Sequence, residues 1–254
     1  MYPILGRYGS IFIYSFTVIL ALGVILAVLL TARLARAHPA SAWFDALLVS
    51  FAAALVGARL GYVIGQWSYF REYPGQILQF TQGGLSYYGA LLAGLAALFL
   101  WTRAYGRSFY PYAALFSPGL ALVTAFGWAA CWFDSCAYGR ETVIGPLSAD
   151  LADEFGVFAL RYQTQLIGLL FSLAAFFLIL WLFRRVSAAA TFWSAVLLLS
   201  TAHLIPGLLR GDPVFSAGPL RLDVLIDAIL IAVSLLMLQY HWRLRGKERN
   251  LSPI

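Results

Sequence analysis

Apolar residues along this chain fall in blocks of about twenty separated by short polar stretches, the length a helix needs to cross a hydrocarbon core of roughly 30 Å. The blocks predict seven membrane-spanning helices, at roughly 11–32, 43–67, 85–102, 110–132, 163–183, 189–209 and 220–240. No internal repeat or low-complexity segment interrupts them. One connection is unusual: residues 133–162 form a stretch of about thirty, so it is either functional or carries short structure of its own. The pattern therefore predicts an all-α integral membrane fold, a single transmembrane domain over 1–254 with an external loop at 133–162.

Composition agrees with that pattern. Of 254 residues, 62% are hydrophobic and only 11% charged, far from the quarter or so usual in soluble domains. The net charge of +6 would suit a nucleic-acid partner, but the basic residues are spread over short loops and the C-terminal tail. They read instead as topology determinants, and no nucleic-acid partner is expected. Arg33 and Arg36 follow the first block, Arg103 and Arg107 the third, Arg184 and Arg185 the fifth, and Arg243, Arg245, Lys247 and Arg249 the seventh. Lys and Arg in short loops stay in the cytoplasm, so these segments are cytoplasmic. The alternate loops are balanced or acidic, with Arg71 against Glu72 and Arg210 and Arg221 against Asp212 and Asp223. Seven spans then leave the N-terminus outside and the C-terminus inside. A cleaved signal peptide ending near His38-Pro39-Ala40-Ser41-Ala42 is the competing reading of the first block, but its apolar run is too long and the Arg33/Arg36 pair follows it.

Ionisable residues inside a span need a partner, a water-filled cavity or a function. Arg59 lies sixteen residues into the second span, about 24 Å along a helix and so in the outer half. Gly57, Gly61 and Gly65 flank it at intervals of four, a stripe that lets another helix approach closely. Asp227 lies near the outer end of the last span and implies a neighbouring cation. His203 sits near the outer end of the sixth span, with Arg210 just beyond. Its imidazole suits proton transfer near neutrality, although packing explains most lone histidines. Tyr14, Tyr87 and Tyr88 lie at the outer boundary, where aromatic belts form without any function. Cys131 and Cys136 lack metal spacing. They read as two small apolar residues, with a disulfide as the alternative. Tyr14, Arg59, Tyr88, Cys131, Gln165, His203 and Asp227 come from seven predicted helices and converge on the outer half. Such a convergence suits an inter-helix cavity that admits an anionic lipid.

These residues carry a resemblance. Gly57-Ala58-Arg59-Leu60-Gly61-Tyr62 followed by Gly83-Gly84-Leu85-Ser86-Tyr87-Tyr88-Gly89 resembles the second and third spans of the prolipoprotein diacylglyceryl transferase family. The stretch from Cys131 through Tyr138-Gly139-Arg140 to Thr142 is similar to the family signature, and Thr164-Gln165-Leu166 to the opening of its fifth span. The matching positions are Tyr14, Arg59, Gly84, Gly89, Tyr138, Gly139, Arg140, Gln165 and Arg210. Departures are specific. Tyr88 stands where the family has histidine, and Trp128 and Cys131 where it has arginine and asparagine. His203, Gly207 and Arg210 stand where it has an Arg-x-x-x-Glu-x-x-Arg pattern.

The resemblance implies a multi-pass enzyme of the bacterial cytoplasmic (inner) membrane. It would transfer the diacylglyceryl group of phosphatidylglycerol to the cysteine thiol of a prolipoprotein lipobox, and it would use no cofactor or metal. Its partners would be phosphatidylglycerol and prolipoprotein signal peptides. On that reading His203, Tyr88 and Arg140 are the catalytic candidates, His203 ranking ahead of Tyr88 as base because a tyrosine is seldom ionised near neutral pH. Tyr14, Arg59, Tyr138, Gly139, Gln165 and Arg210 are the substrate-binding candidates. The second reading is a catalytically altered homologue that binds anionic phospholipid or lipoprotein signal peptides without transfer.

Overall fold

A computed structural model describes residues 4–9, 11–37, 40–79, 83–143, 145, 147–214, 216–217 and 220–251. His38 and Pro39, in the stretch weighed above as a cleavage site, lie outside them. The described elements are helices and three two-stranded hairpins, one ahead of the first long helix and two in connections between helices.

In chain order, Ile4–Tyr8 (β1) pairs antiparallel with Ile11–Tyr14 (β2), and Ser15–Ala37 (α1) follows. Next come Trp43–Gly65 (α2), a short Trp67–Phe70 helix (α3), a 3-10 turn at Pro74–Gln76 and Tyr87–Ala104 (α4). Phe109–Asp134 (α5) leads to the hairpin of Ser148–Ala152 (β3) and Phe158–Tyr162 (β4). Thr164–Phe183 (α6) and Ala188–Gly207 (α7) precede Ser216–Ala217 (β5), Leu220–Arg221 (β6) and Leu222–Leu251 (α8).

Among the described residues, six helices are long and apolar enough to cross a membrane: α1, α2, α5, α6, α7 and α8 as far as Leu244. The third predicted span is present as α4, but its 18 residues open on Tyr87-Tyr88-Gly89 and close on Thr102-Arg103-Ala104, which dilutes its apolar run. The first predicted span begins too early. Ile11–Tyr14 alternates β-branched and aromatic residues, which favour a strand, and Gly9 turns the chain with a left-handed φ of 62°. Tyr14 therefore ends a strand rather than lining a helix. The long connection does carry its own structure. Asp153 organises the β3–β4 turn by accepting from the backbone N–H groups of Phe155 and Val157 at 2.9 and 3.0 Å.

The chain forms two compact units, Ala37–Phe116 on one hand and Met1–Arg36 with Ser117–Ile254 on the other. Helices in lipid gain little from hiding apolar surface, so close backbone approach through small residues holds them together. In the smaller unit the glycine stripe serves this purpose. A Cβ on Gly57 would lie 2.5 Å from the Gly89 carbonyl oxygen, and one on Gly61 would lie 3.1 Å from the Gly89 Cα, so α2 and α4 touch backbone to backbone. Gly65, the third member, faces open space. In the larger unit, α1 seats Gly23 against Phe126 and Ala27 and Thr31 against Gly119 of α5. Ala121, Ala175, Ile179, Ala195 and Leu199 join α5, α6 and α7 in one core.

Candidate functional site

In the larger unit the C-terminal ends of α5 and α7 and the N-terminal end of α6 are joined by a backbone lattice. Residues 138–142 run between two other segments. On one side the Arg140 N–H donates to the Leu209 carbonyl at 2.8 Å and the Gly211 N–H to the Tyr138 carbonyl at 2.9 Å. On the other the Thr142 N–H donates to the Leu160 carbonyl at 2.9 Å and the Tyr162 N–H to the Arg140 carbonyl at 3.3 Å. Only glycine fits two of these positions. A Cβ on Gly139 would lie 2.2 Å from the Tyr162 carbonyl oxygen, and one on Gly211 would lie 2.7 Å from the Arg140 Cα.

The turn leading into this lattice is held from two directions. Cys131 and Cys136 form a disulfide, which overturns the reading of two small apolar residues. Ser135 and Ala137 take left-handed φ values of 60° and 53°, so the chain folds back after α5 and brings the sulfurs together. The buried Thr164 hydroxyl donates to the Ala137 carbonyl at 2.6 Å, and the buried Gln165 amide donates to the Cys136 carbonyl at 2.9 Å. Gln165 thus fixes the turn that aims Tyr138-Gly139-Arg140.

Charge in this region is largely paired. Arg210 forks onto Asp212 and lies 3.6 Å from Asp223. Arg221 reaches Asp223 at 3.0 Å and Asp212 at 3.4 Å, closing a quartet with no net charge. Arg161, buried, bridges Glu141 at 3.1 Å and Asp153 at 3.2 Å. Its guanidinium lies 5.0 Å from the Tyr138 ring centroid. Burial, then the nearby Glu154, Asp153 and Asp212, hold the Tyr138 phenol above its ordinary value of 10.0, against the lowering pull of Arg161. Arg140 differs from all of these. It is exposed, lies 5.7 Å from the Tyr162 ring centroid, and pairs with no carboxylate among the described residues.

His203 and Trp128 meet beneath the lattice, their ring centroids 5.3 Å apart. Trp128 is buried and lies flush on Gly168, where a Cβ would come within 2.3 Å of the indole. The structure thus brings Tyr138, Gly139, Arg140, Gln165, His203 and Arg210 into one unit. Tyr14 belongs to the same unit but sits exposed at the end of the β1–β2 hairpin. Asp227 is buried in α8, five residues from its start.

Arg59 and Tyr88 belong to the smaller unit. Arg59 is buried and donates to the carbonyls of Gln76, Ile77, Gly83 and Gly84, with distances from 2.6 to 3.2 Å. It also lies over the rings of Tyr62 and Phe70. Arg59 therefore staples the connection between α2 and α4. Gly84, at φ 77°, lies against Tyr62 where any Cβ would come within 2.4 Å of the ring. Tyr88 stands half-buried in the first turn of α4, edge-on to Tyr87.

Sequence reasoning missed Arg161 and the Arg210–Asp212–Arg221–Asp223 quartet. Period-two alternation in Phe158–Tyr162 was available as a signal, because it puts Arg161 on the same face as Ala159 and opposite the exposed Phe158 and Leu160. The quartet left only a balanced charge count, since two Arg-x-Asp triplets do not say which carboxylate each arginine takes.

Several apolar helices and a locked, arginine-bearing lattice at their ends define a multi-pass membrane protein with a polar site at one end of the helices. The family model for prolipoprotein diacylglyceryl transferase matches residues 3–240, and the chain belongs to that family. It is similar to the phosphatidylglycerol–prolipoprotein diacylglyceryl transferase of Geobacillus kaustophilus, with 30% identity over 242 residues, covering 89% of this chain and 87% of that one. A second transferase of that name, from Clostridium perfringens, is 27% identical over 97% of this chain and 98% of its own. The Streptococcus mutans transferase is 29% identical over 93% of each.

Proposed function

We propose that this protein transfers the diacylglyceryl group of phosphatidylglycerol to the lipobox cysteine of prolipoproteins, in the cytoplasmic membrane of a bacterium. Family membership along nearly the whole chain supports the reaction class. The observation that carries the reading is Arg140, an exposed cation without a carboxylate among the described residues, held at the helix ends by backbone bonds on both sides. A fixed cation of this kind stabilises an anion that develops as a bond breaks.

The step is a displacement. The lipobox thiolate attacks the glyceryl carbon bonded to the phosphate oxygen, a carbon–sulfur bond forms, and the carbon–oxygen bond breaks with its electrons going to the departing glycerol phosphate. Arg140 neutralises that phosphate. A thiol of pKa near 8.5 requires only a modest base, and His203 is the candidate to take its proton, ahead of Tyr88. Tyr138, Gly139 and Gln165 position Arg140. Tyr14 acts on the lipid, and Arg59 keeps the connection between α2 and α4 in place within its own unit. Arg210 already holds two carboxylates, which reduces its share of the phosphate charge relative to Arg140.

In this reading α4 also crosses, which brings the spans to seven, with the N-terminus outside and the C-terminus cytoplasmic. The arginine-bearing loops support that orientation. The Cys131–Cys136 disulfide supports it independently, since disulfides persist on the oxidising side of a membrane.

The test is incubation of the purified protein with phosphatidylglycerol and a lipobox peptide, with the product read by mass. A diacylglyceryl adduct is expected, with its rate falling at least a hundredfold, about 2.7 kcal/mol of transition-state stabilisation, in Arg140→Ala. The Trp128–His203 ring pair favours a second reading, binding of anionic phospholipid or lipoprotein signal peptides without transfer, because both positions hold arginine in the family pattern. Lipid binding with no adduct at any enzyme concentration would establish that reading instead.

A further inference from the structure

A groove of about 230 Å³ opens at the other end of the larger unit, lined by Leu26, Leu29, Leu30 and Arg33 of α1, Leu122 of α5 and Phe176 of α6. Its origin is in the helix packing. Gly23, Ala27 and Thr31 let α1 close on α5, while Phe176, anchored on the core of Ala121, Ala175 and Ile179, stands beside them on α6. The face of α1 next to the tight seam is left facing a gap. Its walls are entirely apolar except at Arg33.

Arg33 lies eighteen residues from the start of α1, about 27 Å along the helix, close to the roughly 30 Å thickness of a hydrocarbon core. Its guanidinium is therefore at headgroup depth, and the leucine wall extends about 10 Å toward the bilayer centre. In the same unit the Arg185 guanidinium lies over the Trp181 ring. Arg33 is exposed and has no hydrogen bond, ion pair or ring contact among the described residues.

We propose that this groove holds one anionic phospholipid of the cytoplasmic leaflet, with an acyl chain along Leu26, Leu29, Leu30, Leu122 and Phe176 and its phosphate on Arg33. Lipid tails are as apolar as leucine, so the apolar walls give shape but little preference among lipids. The preference comes from the arginine, because a juxtamembrane cation at the surface attracts anionic headgroups. The lipid would fill the space beside the α1–α5 seam as a structural component, separate from the donor lipid consumed at the opposite end. Which leaflet supplies it rests on the orientation argued above; the site itself does not.

Delipidated protein titrated with phosphatidic acid and, separately, phosphatidylcholine, with bound lipids counted by native mass spectrometry, tests this. Phosphatidic acid has no glycerol headgroup to lose, so transfer does not deplete it. The wild-type protein is expected to hold one phosphatidic acid more tightly than phosphatidylcholine. Arg33→Gln should weaken that lipid about fivefold and abolish the preference. Leu30→Trp, which fills the groove while keeping the charge, should remove the lipid altogether. Unchanged phosphatidic acid binding in both variants overturns the proposal, and so does loss in Arg33→Gln with full retention in Leu30→Trp, which would mean surface charge alone. Matching elution and melting of the variants check folding. The diacylglyceryl adduct assay is run on the same samples, so absence of transfer with the lipid differences intact would count against the transferase reading and leave the groove standing.

Discussion

Tyr138 and Gly139 give the residue scale its clearest physical content. The phenol is buried beside Arg161, and burial with the surrounding carboxylates raises its pKa above 10.0. A raised acid keeps its proton in the folded protein after the unfolded chain has lost it, so stability falls as pH rises past about 10. Below that pH the residue contributes no pH dependence. Thermal melts across pH 8–11 in detergent should therefore decline above pH 10 more steeply for the wild type than for Tyr138→Phe. Gly139 has no room for a methyl group, since its Cβ would press on the Tyr162 carbonyl. Gly139→Ala should cost about 1–3 kcal/mol of stability through overpacking and shift Arg140 from its position, read together by melting and by the adduct assay. Sequence reading found both residues through the Tyr-Gly-Arg motif. It could not supply the reason each is needed, which lies in segments some twenty and seventy residues further along the chain.

Among elements, the turn between α5 and β3 depends on a covalent clip and two buried side-chain bonds. Closing so short a loop stabilises by roughly 2 kcal/mol in the chain-entropy picture. Replacing both cysteines with serine should lower the melting midpoint by a corresponding amount, and the intact wild-type protein should gain the mass of two hydrogens on reduction. An unchanged midpoint would mean that Thr164 and Gln165 hold the turn unaided. The sequence offered the cysteines at a spacing of five but not the left-handed backbone at Ser135 and Ala137 that closes the distance. At the start of the chain the same limit appears in reverse. Hydropathy ran the first span back to residue 11, whereas alternation and a glycine turn make Ile11–Tyr14 a strand.

For the whole molecule, the decisive measurement is orientation. Val143, 88% exposed, lies in the long connection, and Tyr105, 65% exposed, lies between α4 and α5. With the native cysteines oxidised, a cysteine placed at 143 should react with an impermeant maleimide in intact cells, and one at 105 only after permeabilisation. The reverse pattern would invert the topology and move both the Arg140 lattice and the Arg33 groove to the opposite leaflets. Labelling of both in intact cells would put the two positions on one side and remove α5, the helix between them, from the count of spans.

Local signals were enough for the sequence to determine a helical membrane protein, the approximate extents of its helices, a close-approach face on the second span and the family motifs. Each of those depends on hydropathy, period or spacing within one or two segments. Tertiary structure alone decided how the polar residues are shared out. For Arg59 the sequence shows no carboxylate close by, and for Arg210 only a balanced count, but folding gives one four carbonyls and the other two carboxylates. Arg140 remains available because no carboxylate among the described residues is folded against it. Where a charge finds its partner in another segment, as Arg59 does, the pairing is set by which segments meet, and no local pattern holds that information.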